Sequence, residues 1–160
     1  MKIGLVIFMP ELIRTSYVKA KKLHFCNYCN SPIRKGELHN YSFLKVGETY
    51  SWRAHLECKF LAEQLWEYID PWDGMHEDEF QEGVGDFCSD FVCPLCSAYD
   101  KDDGECSDFE DCCIWKVGET LKTYELINSG RNSLGTKRFK LVPRKVPITS
   151  YAEYYGVDKR

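Results

Sequence analysis

The sequence predicts a small α+β protein. Three observations predict it: short apolar runs of alternating pattern, two segments with helical spacing, and cysteines grouped at ligand spacing. The chain has 160 residues, of which 44% are hydrophobic, 14% aromatic and 29% charged, so it carries enough apolar surface to fold. Nine cysteines is an odd number, and most of them fall in short clustered spacings. In an oxidising setting such a count reads as a disulfide framework; at Cys-x2-Cys spacing it reads as metal binding.

The elements follow in order. Ile3 to Phe8 is a short apolar run read as a strand, and residues 11–24 are a basic lead-in with Arg14, Lys19, Lys21 and Lys22. Cys26-x2-Cys29 then makes a tight backbone knuckle, in which two thiolates reach one ion at about 2.3 Å. Lys35-Gly36 turns the chain into a hairpin. Tyr41 and Phe43 alternate on the outgoing strand, Tyr50 and Trp52 on the returning one, and Gly47 supplies the turn between them. A helix is predicted from about Ala54 to Ile69, stopped by Pro71, with Leu56, Phe60, Leu65 and Ile69 as ordinary core residues. His55 and Cys58 sit three apart at its start, on one face of the first turn, and complete a four-ligand zinc site with Cys26 and Cys29. Knuckle, hairpin and helix in this order outline a treble-clef finger.

A second helix is predicted where Phe80, Val84, Phe87 and Phe91 form one stripe, with Glu77, Asp78 and Glu79 in its first turn and Gly83 and Gly85 weakening it. Cys88 lies beside that stripe and reads as a buried thiol. Cys93-x2-Cys96, Cys106 and Cys112 form a second candidate zinc site, with Cys113 competing for the fourth place. The loop between these cysteines is polar and rich in Asp and Gly, so it needs such a staple. The pentapeptide KVGET occurs twice, at 45–49 and 116–120, and reads as two hairpin turns of similar chemistry. LKTYELI and KRFKLV are read as strands joined by a turn-rich link, with Lys137, Arg138, Lys140, Arg144 and Lys145 grouped near the second. The predicted organisation is a strand and basic lead-in at 1–22, a zinc finger at 23–72, an acidic connector at 73–92 and a second zinc cluster with basic strands at 93–160.

Charge is segregated. The net charge is −4, yet residues 1–60 carry ten Lys/Arg against four Asp/Glu, and residues 61–113 carry seventeen Asp/Glu against Lys101 alone. Residues 114–160 again carry ten against four. The opening MKIGLVIFMPEL has no small-residue cleavage site, and no run reaches the length of a membrane span, so a reducing, cytoplasmic setting is expected (host cytoplasm for a phage-encoded chain).

At Cys26, Cys29, Ile33, Lys35, Gly36, His55 and Cys58 the sequence resembles the poly(ADP-ribose) polymerase-type zinc finger. It is also similar to small treble-clef proteins of bacteriophages and mobile elements, and CPLC with its following cysteines is similar to short clusters in phage-type proteins. There the last cysteine is commonly followed by proline, where this chain has Cys113. The resemblance implies a non-catalytic zinc module that binds nucleic acid, with two structural zinc ions in all. Arg34, Lys35, Lys45 and Arg53 are the candidate phosphate contacts, and Tyr41, Tyr50 or Trp52 the candidate stacking groups. The main alternative is a protein-binding adaptor or inhibitor that presents the acidic 77–111 stretch to a nucleic-acid-binding partner as a decoy. An HNH-type nuclease is disfavoured: His55 is spent on the metal, His39 has no acidic neighbour in sequence, and four protein ligands leave no open position for water.

Overall fold

The computed structural model of the chain describes residues 11–46, 48–71, 74–92, 99–100, 105–106 and 111–157. The strand expected at Ile3–Phe8 and the turn residue Gly47 lie outside them. The architecture is mixed α+β, with small sheets and five α-helices among the described residues.

The largest sheet has three strands in the order β1 (Glu11–Lys19), β4 (Leu38–Val46), β5 (Glu48–His55), all antiparallel. The expected hairpin is β4–β5, paired from His39↔His55 to Val46↔Glu48. Most of the basic lead-in at residues 11–24 is β1, which takes in Glu11–Lys19. Its residues Arg14 to Val18 alternate side chains across the sheet, and it pairs along the length of β4. Between β1 and β4 the chain makes the two-residue strands β2 (His24–Phe25) and β3 (Pro32–Ile33), which pair around the knuckle.

Pairing fixes the two faces of the sheet. Partners directly opposite share a face, so Tyr41 lies with Arg53 and Ser16, and Phe43 with Ser51 and Arg14. Trp52 pairs with Ser42 and Tyr50 with Leu44, which puts these two aromatics on the opposite face from Tyr41 and Phe43.

The helix expected over Ala54–Ile69 is two helices. Helix α1 spans Leu56–Gln64 and α2 spans Trp66–Ile69, with a break at Leu65, which is itself buried. Asp70 in the left-handed conformation (φ 51°) ends α2 just before Pro71. Helix α3 (Glu77–Phe87) continues into a π-helical turn at Cys88–Val92. Its acidic first turn caps it: the His76 backbone N–H donates to Glu79 Oε2 at 3.1 Å. Gly83 does not break this helix; it makes room for a neighbour. A Cβ there would stand 2.3 Å from the Ile69 side chain.

The short strands β6 (Tyr99–Asp100) and β7 (Glu105–Cys106) pair antiparallel. Helix α4 then runs from Asp111 to Thr123, so the strand predicted from Leu121 begins only at Tyr124. The second KVGET is therefore helical, not a hairpin turn. Strands β8 (Tyr124–Arg131) and β9 (Lys137–Pro143) form the second hairpin, and α5 (Tyr151–Tyr154) closes the described chain, capped by Ser150.

The buried residues form one cluster drawn from many of these elements. It includes Ile33 and Ala54 by the sheet, Phe60, Leu61 and Leu65, Phe80, Val84 and Phe87, and Val117 and Leu121 of α4. Cys88 is buried with them. Helix α4 approaches α1 closely at Gly118, where a Cβ would meet Glu57 at 2.6 Å. Phe60 also packs on Tyr151, and Tyr155 stacks on Tyr17 of β1, so α1 and the C-terminal turn cover the Trp52 face of the sheet. No helix among the described residues is long and apolar enough to cross a membrane.

Candidate metal centre and cationic recess

Two devices in the local backbone make the knuckle. Asn30 takes the left-handed conformation (φ 60°), which Asn tolerates better than most residues, and its N–H donates to the Cys26 carbonyl at 2.9 Å. The Cys26 N–H donates to the Ser31 carbonyl at 2.9 Å, closing the loop. The knuckle is then clamped to β5 by a reciprocal pair: Asn27 N–H to the Arg53 carbonyl at 2.8 Å, and Arg53 N–H to Asn27 Oδ1 at 2.8 Å. His55 ends β5 as the residue before α1, and Cys58 lies in the first turn of α1.

These elements bring Cys26, Cys29, His55 and Cys58 together, with all four ligand atoms within 4.8 Å of one another. Cys26 and Cys58 are buried. His55 Nδ1 stands 3.4 Å from Cys29 Sγ and 3.7 Å from Cys58 Sγ. A tetrahedral ion with ligands at about 2.0–2.3 Å needs edges of roughly 3.3–3.8 Å, so the donor set fits a metal ion. The tautomer fits as well. His55 Nε2 lies 3.0 Å from the Pro32 carbonyl and 3.4 Å from Glu37 Oε2, so the proton belongs on Nε2 and Nδ1 is left to face the thiols. The Tyr28 N–H donates to Cys26 Sγ at 3.4 Å.

Without an ion the four groups share protons. Hydrogen bonds with the Cys26 and Cys58 thiols hold Cys29 far below the ordinary thiol range. Cys58 is pushed well above it by hydrogen bonds with Cys26 and Cys29 and by burial. His55 is pushed up to about 11, first by its hydrogen bonds with Cys26 and Cys29. A dication replaces those protons, which is the usual coupling of metal binding to deprotonation.

The second predicted site cannot be placed in the same way. Cys93 and Cys96 lie outside the described residues; Cys106 falls in β7, and Cys112 and Cys113 at the start of α4.

The predicted phosphate contacts separate. Arg53 lines a recess of about 720 Å³ on the sheet face away from α1, with Tyr41 beside it. Arg14 and Val18 of β1 form its floor with them, and Lys19, Lys21, Lys22 and His24 its rim. Among the described lining residues none is Asp or Glu. Arg53 is held in a fixed pose: its guanidinium lies over the Tyr41 ring, 4.4 Å from the centroid, and Nη1 donates to His39 Nε2 at 2.7 Å. His39 is fully buried with its Nδ1–H directed at the Glu37 carbonyl, 3.2 Å away. Burial, together with the neighbouring Arg53 charge, pulls the His39 pKa down against the raising effect of Glu37, which keeps the ring neutral and able to accept.

Arg34 and Lys35 are exposed in the turn before β4, which is hydrogen-bonded to Ala20 next to the rim, but they do not line the recess. Lys45 sits at the far end of β4. Sequence reasoning missed Arg14, Lys19, Lys21 and Lys22 as members of the site, although it had noticed their charge; the signal was the alternation of β1, hidden by the lysine run that follows it.

The acidic residues sit elsewhere. Glu67, Asp70, Glu79, Glu82 and Asp86 line a separate recess of about 660 Å³, with Arg131 and Lys137 of the β8–β9 hairpin among its other lining residues. Lys137 stands 4.0 Å from Asp70, and Asn128 donates to Glu67 at 2.9 Å. Arg144, grouped with the basic cluster in sequence, instead donates to the Leu121 carbonyl and to Gln64, each at 2.8 Å. Comparison with protein-family models, with curated proteins and with solved structures returned no match.

Proposed function

We propose that this chain is a non-catalytic zinc module of treble-clef type that binds nucleic acid through the cationic recess beside its metal cluster. The observation that carries this reading is the recess itself: five Lys/Arg side chains around Tyr41, with no carboxylate among the described lining residues. Clustered cations without acidic partners suit a phosphate backbone, whose binding is driven by release of counterions. Three thiolates and one imidazole suit zinc, and four protein ligands make a closed, structural site with no position for a reactive water. When bound, the ion would cross-link the knuckle to β5 and α1, and through the Asn27–Arg53 clamp it would hold the recess in shape. A second structural zinc on Cys93, Cys96, Cys106 and Cys112 belongs to the same reading, on the strength of its Cys-x2-Cys spacing.

The decoy reading ranks second, because Lys137 and Asn128 already engage part of the acidic surface. A nuclease ranks lower still, since His39 has both ring nitrogens engaged and His55 belongs to the metal cluster.

A mobility-shift titration of the zinc-loaded protein with nucleic acid, at low and physiological salt, tests the proposal. Binding should weaken with salt by a log–log slope of about −0.7 to −0.9 per phosphate engaged. Charge reversal at Lys21 and Lys22 should weaken it further. Absence of binding at low salt would overturn the reading and turn attention to a protein partner for the acidic recess.

A further inference from the structure

The recess differs from a surface that docks against a duplex. Double-stranded readers present a helix or a two-stranded ribbon that protrudes into a groove. Here α3 carries Glu77, Asp78, Glu79, Glu82 and Asp86 and no cation, so it is unsuited to that task. The basic ribbon β8–β9 is packed at Phe139 against Tyr68, with Lys137 beside Asp70. The cations that remain clustered, with no carboxylate among them, surround a concavity whose floor is a sheet face.

We propose that the recess on the β1–β4–β5 face is a single-strand site, in which an unpaired base extends the Tyr41–Arg53 stack while Arg14, Lys19, Lys21 and Lys22 follow the backbone on either side. This rests on the nucleic-acid reading above and narrows it. The stacking group lies on the floor of the recess, not on a protrusion, and a base held in a duplex has no face free to reach it; an unpaired base does. The stack is also built in advance. Arg53 is anchored at both ends, its backbone by Asn27 and its guanidinium by His39, so its guanidinium is held over Tyr41 before any ligand arrives. A planar guanidinium that has already lost its rotamer freedom offers a stacking surface at low entropic cost. A merely solvating arginine would not need two anchors. Stacking of this kind tolerates every base, so the site should prefer strandedness over sequence.

Fluorescence anisotropy on the full zinc-loaded chain tests this with three probes: a labelled mixed-sequence single strand (DNA and RNA arms), the same sequence annealed to its complement, and inorganic polyphosphate as a competitor that has charge but no bases. The single strand is expected to bind at least about tenfold more tightly than the duplex. Tyr41→Leu should cost the single strand about tenfold while leaving competition by polyphosphate unchanged. Arg53→Lys, which keeps the charge and loses the plane, should reproduce the effect in part, and it serves as the second variant should Tyr41→Leu fold poorly. Duplex binding as tight as single-strand binding would overturn the inference and leave the broader nucleic-acid reading standing. So would a single-strand affinity indifferent to both substitutions. Failure of every nucleic-acid probe to bind would overturn both.

Discussion

The two faces of the β1–β4–β5 sheet are built from the same three strands and behave as different materials. On one face Trp52 lies edge-on to Tyr28, Tyr17 stacks on Tyr155, and Ala54 is fully buried against the core. On the other, Arg14, Tyr41 and Arg53 line an open recess with no acidic residue among its described lining residues. The period-2 alternation of a strand makes this division possible, since neighbours in sequence go to opposite sides. Two polar side chains of β4 on the covered face are satisfied inside the sheet: Asn40 donates to Thr15 Oγ1 at 2.8 Å, and Ser42 donates to Asn40 Oδ1 at 3.1 Å. The lesson is a division of labour. Changes on the covered side should be felt as stability, and changes on the open side as binding.

The sharpest break of that comparison comes from the metal cluster, which touches both sides. Stripping the ion with a strong chelator should remove on the order of 10 kcal/mol of folding free energy and abolish the knuckle, read by circular dichroism and thermal unfolding. Metal affinity should also rise with pH. In the metal-free cluster His55 holds its proton up to about 11 and Cys58 holds its own well above the thiol range, so both must be lost on binding. Release of at least these two protons per ion implies on the order of a hundredfold or more tighter binding per pH unit near neutrality. A flat profile by competition with a metallochromic dye would contradict this.

On the covered side, Phe80→Ala removes a fully buried ring that packs on Tyr28 of the knuckle, with centroids 4.9 Å apart. It should cost about 3–5 kcal/mol in urea unfolding, with nucleic-acid affinity of the folded fraction unchanged. Gly83→Ala, which drives a methyl into Ile69, should cost about 1–3 kcal/mol by the same measurement. On the open side the pattern should invert. Reversal of Lys21 and Lys22 to Glu should shift stability by no more than about 0.5 kcal/mol each while weakening binding at low salt about tenfold or more. The smallest effect belongs to Lys45→Glu. Four residues beyond Tyr41 along β4, or about 13 Å, it lies past a Debye length at physiological salt, and there it should alter neither stability nor binding measurably.

How much of this was legible in sequence depended on how local the determinants are. The knuckle, the β4–β5 hairpin and the His55–Cys58 pair were readable because each is set by a few adjacent residues. The pentapeptide KVGET shows the limit. At 45–49 its described residues end β4 and begin β5, and at 116–120 it is helical, with Val117 fully buried and Gly118 pressed against α1. Five residues do not carry enough propensity to resist their surroundings. The same holds for Leu121, read as strand and buried instead on α4. The cationic recess was hidden for a different reason. Its members come from β1, its following loop, β2, β4 and β5, and only the strand register shows that Arg14, Tyr41 and Arg53 share a face.

Metal content decides whether Cys26, Cys29, His55 and Cys58 hold an ion that shapes the recess. Purified wild-type protein and a Cys26→Ser/Cys29→Ser variant should be loaded with cobalt(II), then compared by absorption spectroscopy and by elemental analysis of the zinc-loaded forms. One ion fewer per chain is expected in the variant, with a correspondingly weaker tetrahedral thiolate spectrum and loss of nucleic-acid binding along with it. Equal metal content in the two proteins would contradict it, and so would full nucleic-acid binding by the variant.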